Sequence, residues 1–347
     1  MLAVAWFAFI IFGLVMYVAL DGNDLGIGIL SATRRKAADR RQLLELVTPV
    51  WDGAESWILL IAVGLWGGFP AVTGGLLPAV YLPVIVMLWS LIMRGVSIEM
   101  ISTGGARSPW WGRAFVGGSF GAAFAQGVII GALVQGIPLG PDSRFVGGSW
   151  DFLSGYTVLT GVVAVLLYSL SGAAMVKMRS DDPAVRTTAA RWGRWLVPMV
   201  AGMVALSAAL LPAEGASNLT LDQPLRVALM VGVSTAAATL LLLAWWSFGR
   251  PDHDTMAFVG VSLAEVAGIA GLIILSYPMI LPPSLTIAHA ASPSSSLVFL
   301  LGGVSLFIPI AVAYNAYAFW VLRPRRSPAT PPLTPTPGPA PTPFPVG

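Results

Sequence analysis

Cysteine is absent from the 347-residue sequence, which excludes disulfides, thiolate metal sites and a cysteine nucleophile. Histidine is nearly absent: His253 and His289 are the only two, too few for a histidine-rich metal centre. Charge is scarce, at 10% of residues against 56% hydrophobic, whereas a soluble domain carries about 25% charged residues. A chain so poor in charge cannot face water all round, and its excess apolar surface must face lipid. The sequence also contains no phosphate-binding glycine loop and no nucleophile elbow. The formal net charge of +3 does not point to nucleic acid, because the basic residues are distributed by membrane side.

What the sequence has is long apolar runs. A transmembrane helix needs about 20 such residues, and nine runs qualify: about 2–20, 55–77, 78–98, 115–134, 155–176, 195–212, 226–248, 256–281 and 296–322. They are continuous, not alternating, and about twice the length of a barrel strand. The sequence therefore predicts an all-α integral membrane protein with nine transmembrane helices. Between the second and third, Phe69–Pro70 and Gly74–Gly75 through Pro78 read as an uncharged turn.

The basic residues orient the spans. With the N-terminus outside, the odd-numbered spans are followed by cytoplasmic loops holding Arg34, Arg35, Lys36, Arg40 and Arg41; Arg94, Arg107 and Arg113; Lys177, Arg179, Arg186, Arg191 and Arg194; Arg250; and Arg323, Arg325 and Arg326. Of the 19 Lys and Arg, only Arg144 and Arg226 fall outside this set. That asymmetry follows the positive-inside rule and predicts an N-out, C-in topology. The first span has no basic residues before it, so it reads as a retained helix and not a cleaved signal peptide. Residues 1–326 form the polytopic membrane domain. Residues 327–347 contain nine prolines among 21 residues and read as an extended, disordered cytoplasmic tail.

Carboxylates at the edge of a bilayer are costly and so informative. Asp21 and Asp24 close span one in LDGNDLGIG, Asp52 and Glu55 open span two in TPVWDGAESW, and Glu99 closes span three in MRGVSIEM. Five acids from three successive spans thus share one membrane face. Singly, each reads as an interfacial acid, hydrated or paired with Arg94 or with the Arg34–Arg41 cluster. As a set they read as a proton-accessible cleft. Gly22, Gly26, Gly28 and Gly53 beside them permit close backbone approach or non-helical turns. Glu265 lies deeper, roughly 13 Å into span eight at 1.5 Å per residue. A carboxylate there must be neutral, paired or in water; a structural hydrogen bond and a proton site both fit.

No metal site is predicted. A bis-histidine haem needs two histidines at membrane depth, and His253 and His289 both fall in loops. The methionines read as packing. Most of the thirteen tryptophans flank the spans, as Trp51, Trp57, Trp110, Trp150, Trp195 and Trp320 do, and read as an interfacial belt.

These segments resemble subunit II of the cytochrome bd-type quinol oxidases. Asp21-Gly22-Asn23-Asp24-Leu25-Gly26-Ile27-Gly28 is similar to the family's DGFDLGVG, and Pro49-Val50-Trp51-Asp52-Gly53-Ala54-Glu55-Ser56-Trp57 to its PxWDGNEVW. Phe69-Pro70 matches an aromatic–proline pair, and Arg94-Gly95-Val96-Ser97-Ile98-Glu99 resembles RGVAFEFR. Gln135-Gly136-Ile137-Pro138 resembles QGVP, and Tyr277-Pro278 through Pro283-Ser284 resembles YPxxxPS. The matches run in order from residue 21 to about 284. Asn23, Ala54, Ser56 and Met100–Ile101 depart from the pattern, and Glu265 lies outside it, which marks a divergent member.

The resemblance implies two four-helix bundles plus a peripheral helix, in a multi-pass subunit of a prokaryotic cell membrane. It implies a haem-bearing subunit I as partner, holding two haems b and one haem d, with quinol and oxygen as substrates of the complex. This chain would bind no cofactor, catalyse nothing alone, and contribute a proton path through Asp21, Asp52 and Glu99. Arg94, Trp51, Gly53 and Trp57 would be structural. The resemblance leaves room for a small third subunit and for a structural quinone or membrane lipid. Two other classes compete: a proton-coupled secondary transporter, for which buried acids and glycine-interrupted helices also suit but no internal repeat is evident, and a non-catalytic membrane scaffold.

Overall fold

A computed structural model describes residues 1–34, 37–49, 51–103, 109–211 and 223–321. The proline-rich segment lies outside them, as do Arg35, Lys36, Arg107, Arg323, Arg325 and Arg326. The described chain is almost entirely helical: α1 (Leu2–Ser31), α2 (Ala37–Val47), α3 (Trp51–Gly68), α4 (Pro70–Ala79), α5 (Tyr81–Ser102), α6 (Pro109–Gln135), α7 (Gly155–Arg179), α8 (Pro183–Leu210), α9 (Pro224–Phe248), α10 (Asp254–Ser276), α11 (Ile287–Ala290) and α12 (Ser294–Val321). A two-stranded antiparallel hairpin, β1 (Met279–Leu281) with β2 (Leu285–Thr286), follows α10.

Eight helices, α1, α5 to α10 and α12, are long and apolar enough to cross a bilayer. A ninth crossing needs α3, which is only 18 residues long and carries Asp52 and Glu55 among its first five residues. It reaches a span's apolar length together with Arg40–Val47 of α2, across a 55° bend.

Several boundaries differ from the sequence expectation. The first helix runs on from residue 20 to Ser31, so Asp21 and Asp24 lie inside it and not at its end. The glycines of LDGNDLGIG serve close packing, not a turn: a Cβ on Gly26 would lie 1.7 Å from the carbonyl oxygen of Tyr168 in α7. The turn expected from Phe69–Pro70 through Pro78 resolves into two breaks, one at Phe69 and one at Val80, two residues after Pro78. Phe69 leaves the helical conformation (φ −134°, ψ 64°), and Pro70 starts α4 where a missing N–H costs nothing. Gly74, Gly75 and Pro78, expected in a turn, are inside α4. The eighth span stops at Ser276, because Pro278, Pro282 and Pro283 cannot continue a helix.

Helices α1, α3, α5 and α6 pack on one side, and α7, α8, α9 and α10 on the other. The two groups meet where α1 and α6 lie against α7, and α12 lies outside against α3 and α1. Only 6% of the apolar stretch of α9, and of α12, is buried within the chain, which leaves their faces for lipid or another subunit. Cross-helix contacts gather the basic segments at one end. Arg34 after α1 stacks 4.9 Å from the ring of Trp192 in α8, and Lys177 of α7 donates to the carbonyls of Ser247 and Arg250 at the end of α9.

Arg94, Lys177 and Arg179, expected in loops, are instead buried within α5 and α7. Trp57, expected in the belt, is buried with its ring edge-on to Phe12. Trp66, Trp110, Trp150, Trp195 and Trp320 are exposed, as a belt requires.

Candidate functional site

Arg94 organises the site. Its position in α5 turns the guanidinium inward, where Nη2 lies 2.6 Å from Asp21 Oδ1 of α1 and 3.2 Å from Glu55 Oε2 of α3. Arg94 and Asp21 have no solvent exposure, and the Glu55 side chain keeps 22%. Taking charges out of water costs several kcal/mol per ion, and only close pairing offsets it. Asp24, one turn beyond Asp21 on the same helix, is also buried. Two carboxylates therefore pair directly with one fixed cation, and Asp24 lies within the fields of Arg94 and Arg179. Among the described residues, Asp24 Oδ2, Asn23 Oδ1, and Nε and Nη1 of Arg94 have no hydrogen-bond partner. Trp51 closes the neighbourhood by packing its ring on Gly95, where a Cβ would meet Trp51 Cζ3 at 3.0 Å.

Asp52 and Glu99 stand apart from this cluster. Asp52 is exposed in the first turn of α3, where a carboxylate complements the helix dipole. Glu99 is exposed near the end of α5. The five acids expected to share one face thus divide into buried Asp21 and Asp24, half-buried Glu55 against Arg94, and exposed Asp52 and Glu99 at the basic end. The Arg34–Arg41 segment has other partners: Arg41 forms an exposed pair with Glu45 at 3.6 Å, and Arg40 Nε donates to the carbonyl of Arg34.

Glu265 is buried in α10 and accepts a hydrogen bond from Ser171 Oγ of α7, with Oε2 unpartnered. It belongs to the α7–α10 packing and not to the Arg94 cluster.

Three polar residues that sequence reasoning passed over lie between the two. Tyr168 of α7 donates its hydroxyl to Gln126 Oε1 of α6 at 2.9 Å, and Gln126 Nε2 donates to the Tyr17 hydroxyl of α1 at 2.7 Å. Tyr17 precedes Asp21 by one helical turn. All three are buried, so an unbroken row of buried polar side chains, each paired with or one turn from the next, runs from Glu265 and Ser171 to Asp21. Gln126, alone in the apolar run GAAFAQGVII, was the legible signal. A second buried group was also missed: Asp254 at the start of α10 lies 2.9 Å from Lys177 Nζ and pairs with Arg186 of α8.

The histidines do not fit a haem. His253 stands just before α10, its ring edge-on to Trp246, and His289 in the short α11 is hydrogen-bonded to Thr286 beyond the other end of α10. Among the described residues, no group of three or more His, Asp or Glu is placed to hold a metal ion.

Known proteins match nearly the whole chain. The family model for cytochrome bd terminal oxidase subunit II matches residues 2–322. The chain is 25% identical over 338 residues to cytochrome bd ubiquinol oxidase subunit 2 of Bacillus subtilis, covering 94% of this chain and 97% of the relative. It is 26% identical over 347 residues to cytochrome bd-I ubiquinol oxidase subunit 2 of Escherichia coli, covering 88% and 90%. Its fold superposes on a chain of the bd oxidase from Geobacillus thermodenitrificans with a TM-score of 0.75 at 16% identity, covering 92% of this chain and 97% of that one. The two four-helix groups with an outlying α12, the buried Asp21–Arg94–Glu55 cluster within the matched segments, and a match from residue 2 to 322 lead to one conclusion: the chain belongs to the cytochrome bd terminal oxidase subunit II family.

Proposed function

We propose that this chain is the haem-free subunit II of a quinol:oxygen oxidoreductase in a prokaryotic cell membrane, with its C-terminus in the cytoplasm. Its partner is a haem-bearing subunit I, and a small third subunit and a structural quinone or lipid are compatible with the faces left bare on α9 and α12. The complex oxidises two quinols to quinones and reduces one oxygen to two waters, so four protons leave quinol and four are taken up by oxygen. Two haems b and one haem d on the partner supply the electron transfer. This chain's residues hold and move protons: Asp52 and Glu99 collect them at the basic end, and Asp21, Asp24 and Glu55 hold them around Arg94.

The observation that carries the reading is Arg94 drawing Asp21 and Glu55 from two other helices into one buried cluster, at the end of the protein where Asp52 and Glu99 are exposed. Carboxylate chains are a usual route for protons into a low-dielectric interior. Glu265, paired with Ser171, is a second proton site in the other helix group. The transporter reading is set aside, because the relatives that match nearly the whole chain are oxidase subunits.

The test is substitution in the assembled complex. Asp52→Asn or Glu99→Gln should slow oxygen consumption while the haem spectrum stays unchanged. Normal turnover in both would leave the acids as interfacial groups only.

A further inference from the structure

A small cavity lies where α1, α3, α7 and α12 meet, near the basic end. Its wall includes Leu20 and Asp24 from α1, Gly53 from α3, Met175 from α7, and Tyr314 and Asn315 from the outlying α12. It offers about 20 Å³ of room for a water, above the roughly 10–15 Å³ that one water needs.

The polar groups on the wall suit that occupant. Asp24 is 98% buried, being 2% exposed, and its Oδ2 has no hydrogen-bond partner among the described residues. Asn315 donates its Nδ2 to the carbonyl of Ala311 at 2.9 Å within α12. That bond fixes the amide and leaves Oδ1 as the acceptor facing α3, 3.7 Å from where a Cβ on Gly53 would sit. A buried water needs two to four polar partners, and it has two hydrogens to donate. Asp24 of α1 and Asn315 of α12 supply one acceptor each to the same cavity wall.

Position gives such a water a task. Exposed Asp52 is the residue next to Gly53 at the start of α3, and Asp24 is three residues from Asp21, on the same face of α1. We propose that a single water bound between Asp24 Oδ2 and Asn315 Oδ1 carries protons from the Asp52 end of α3 to the buried Asp21–Asp24–Arg94 cluster, so that the route inward follows the seam between α3 and α12. Asn315 is a positioning residue in this step: it holds the water, and Asp24 takes the proton. The inference rests on the proton role proposed above and adds the path.

Gly53 allows the cavity to be filled without touching a titrating group. A Cβ there would stand 3.4 Å from Tyr314 Cε1, an ordinary contact, so Gly53→Ala is accommodated, whereas the branched side chain of Gly53→Val reaches into the water's place. Asn315→Leu removes the acceptor at similar volume, and Asn315→Asp restores one. The experiment uses the purified complex with subunit I. A pH-indicator dye follows proton uptake during reoxidation of the reduced enzyme by oxygen, and the haem spectrum reports assembly.

Gly53→Val and Asn315→Leu should slow proton uptake about tenfold, corresponding to about 1.4 kcal/mol on the barrier. Gly53→Ala and Asn315→Asp should stay near the parent rate. Slow uptake in Asp24→Asn with normal uptake in Gly53→Val and Asn315→Leu overturns the water step and leaves the proton path standing. Normal uptake in Asp24→Asn overturns the underlying proton role of the cluster. Equal slowing by Gly53→Ala and Gly53→Val would trace the effect to helix packing and also overturn the water step.

Discussion

The Arg94 guanidinium and the Asp21 carboxylate, 2.6 Å apart and both without solvent exposure, tie α5 to α1 inside the protein. Glu55 adds α3 to the same knot. A pair so deep is held by mutual attraction, and each partner depends on the other.

Removing one side leaves an uncompensated buried charge, a loss of about 3–5 kcal/mol. Arg94→Ala should therefore deplete the assembled complex from membranes, read by immunoblot and haem content. The double variant Arg94→Leu with Asp21→Leu, which removes both charges, should recover part of the assembly. Full assembly of Arg94→Ala alone would show that the pair contributes little to the fold.

The Tyr17–Gln126–Tyr168 bridge predicts a different kind of defect. Gln126→Leu strands two buried hydroxyls, at about 1–3 kcal/mol for each unsatisfied group. The melting temperature of the complex should fall, and Tyr17→Phe with Tyr168→Phe in the same chain should restore part of it. Unchanged melting in Gln126→Leu would show that the bridge is not formed in the membrane.

Glu265 separates proton chemistry from packing. Glu265→Gln keeps an acceptor for Ser171 and a similar shape, so assembly should survive. With a proton role, oxygen consumption should slow in that assembled variant. Parent turnover would leave Glu265 as a hydrogen-bonding group of the α7–α10 interface.

Asp52 and Glu99 should impose a pH dependence. Both are exposed in this chain, and under the proposed role they take up protons from the water at that end. As pH rises the supply of protons falls, and a chain without these collectors suffers first. The turnover deficit of Asp52→Asn relative to the parent should grow with rising pH and shrink as pH falls. A deficit constant across pH would point to a structural defect.

The two histidines give the remaining prediction. With His253 against Trp246 before α10 and His289 bonded to Thr286 beyond its other end, this chain expressed and purified alone should show no haem absorption band. A stoichiometric band would contradict the assignment of all haems to the partner.

Composition alone settles which solvent the helices face. Scarce charge and long apolar runs made this a helical membrane protein, because transfer free energy depends on composition. Lone prolines, glycines and acids located most helix ends to within a few residues, and short motifs identified the family. Which way a residue faces depends on how helices cross, and that only the tertiary structure decided. Arg94, Lys177 and Trp57 read equally well as edge residues and are buried, while Asp52 and Glu99 resemble Asp21 and Glu55 in sequence yet stay exposed. Helix α1 ran through LDGNDLGIG because Gly26 meets the backbone of α7, a contact with a residue more than 140 positions away. The joining of Gln126 to Tyr17 and Tyr168, and of Asp24 to the cavity under Asn315, has the same cause. Each needs side chains from three or four helices, and no periodicity along one helix encodes its neighbours.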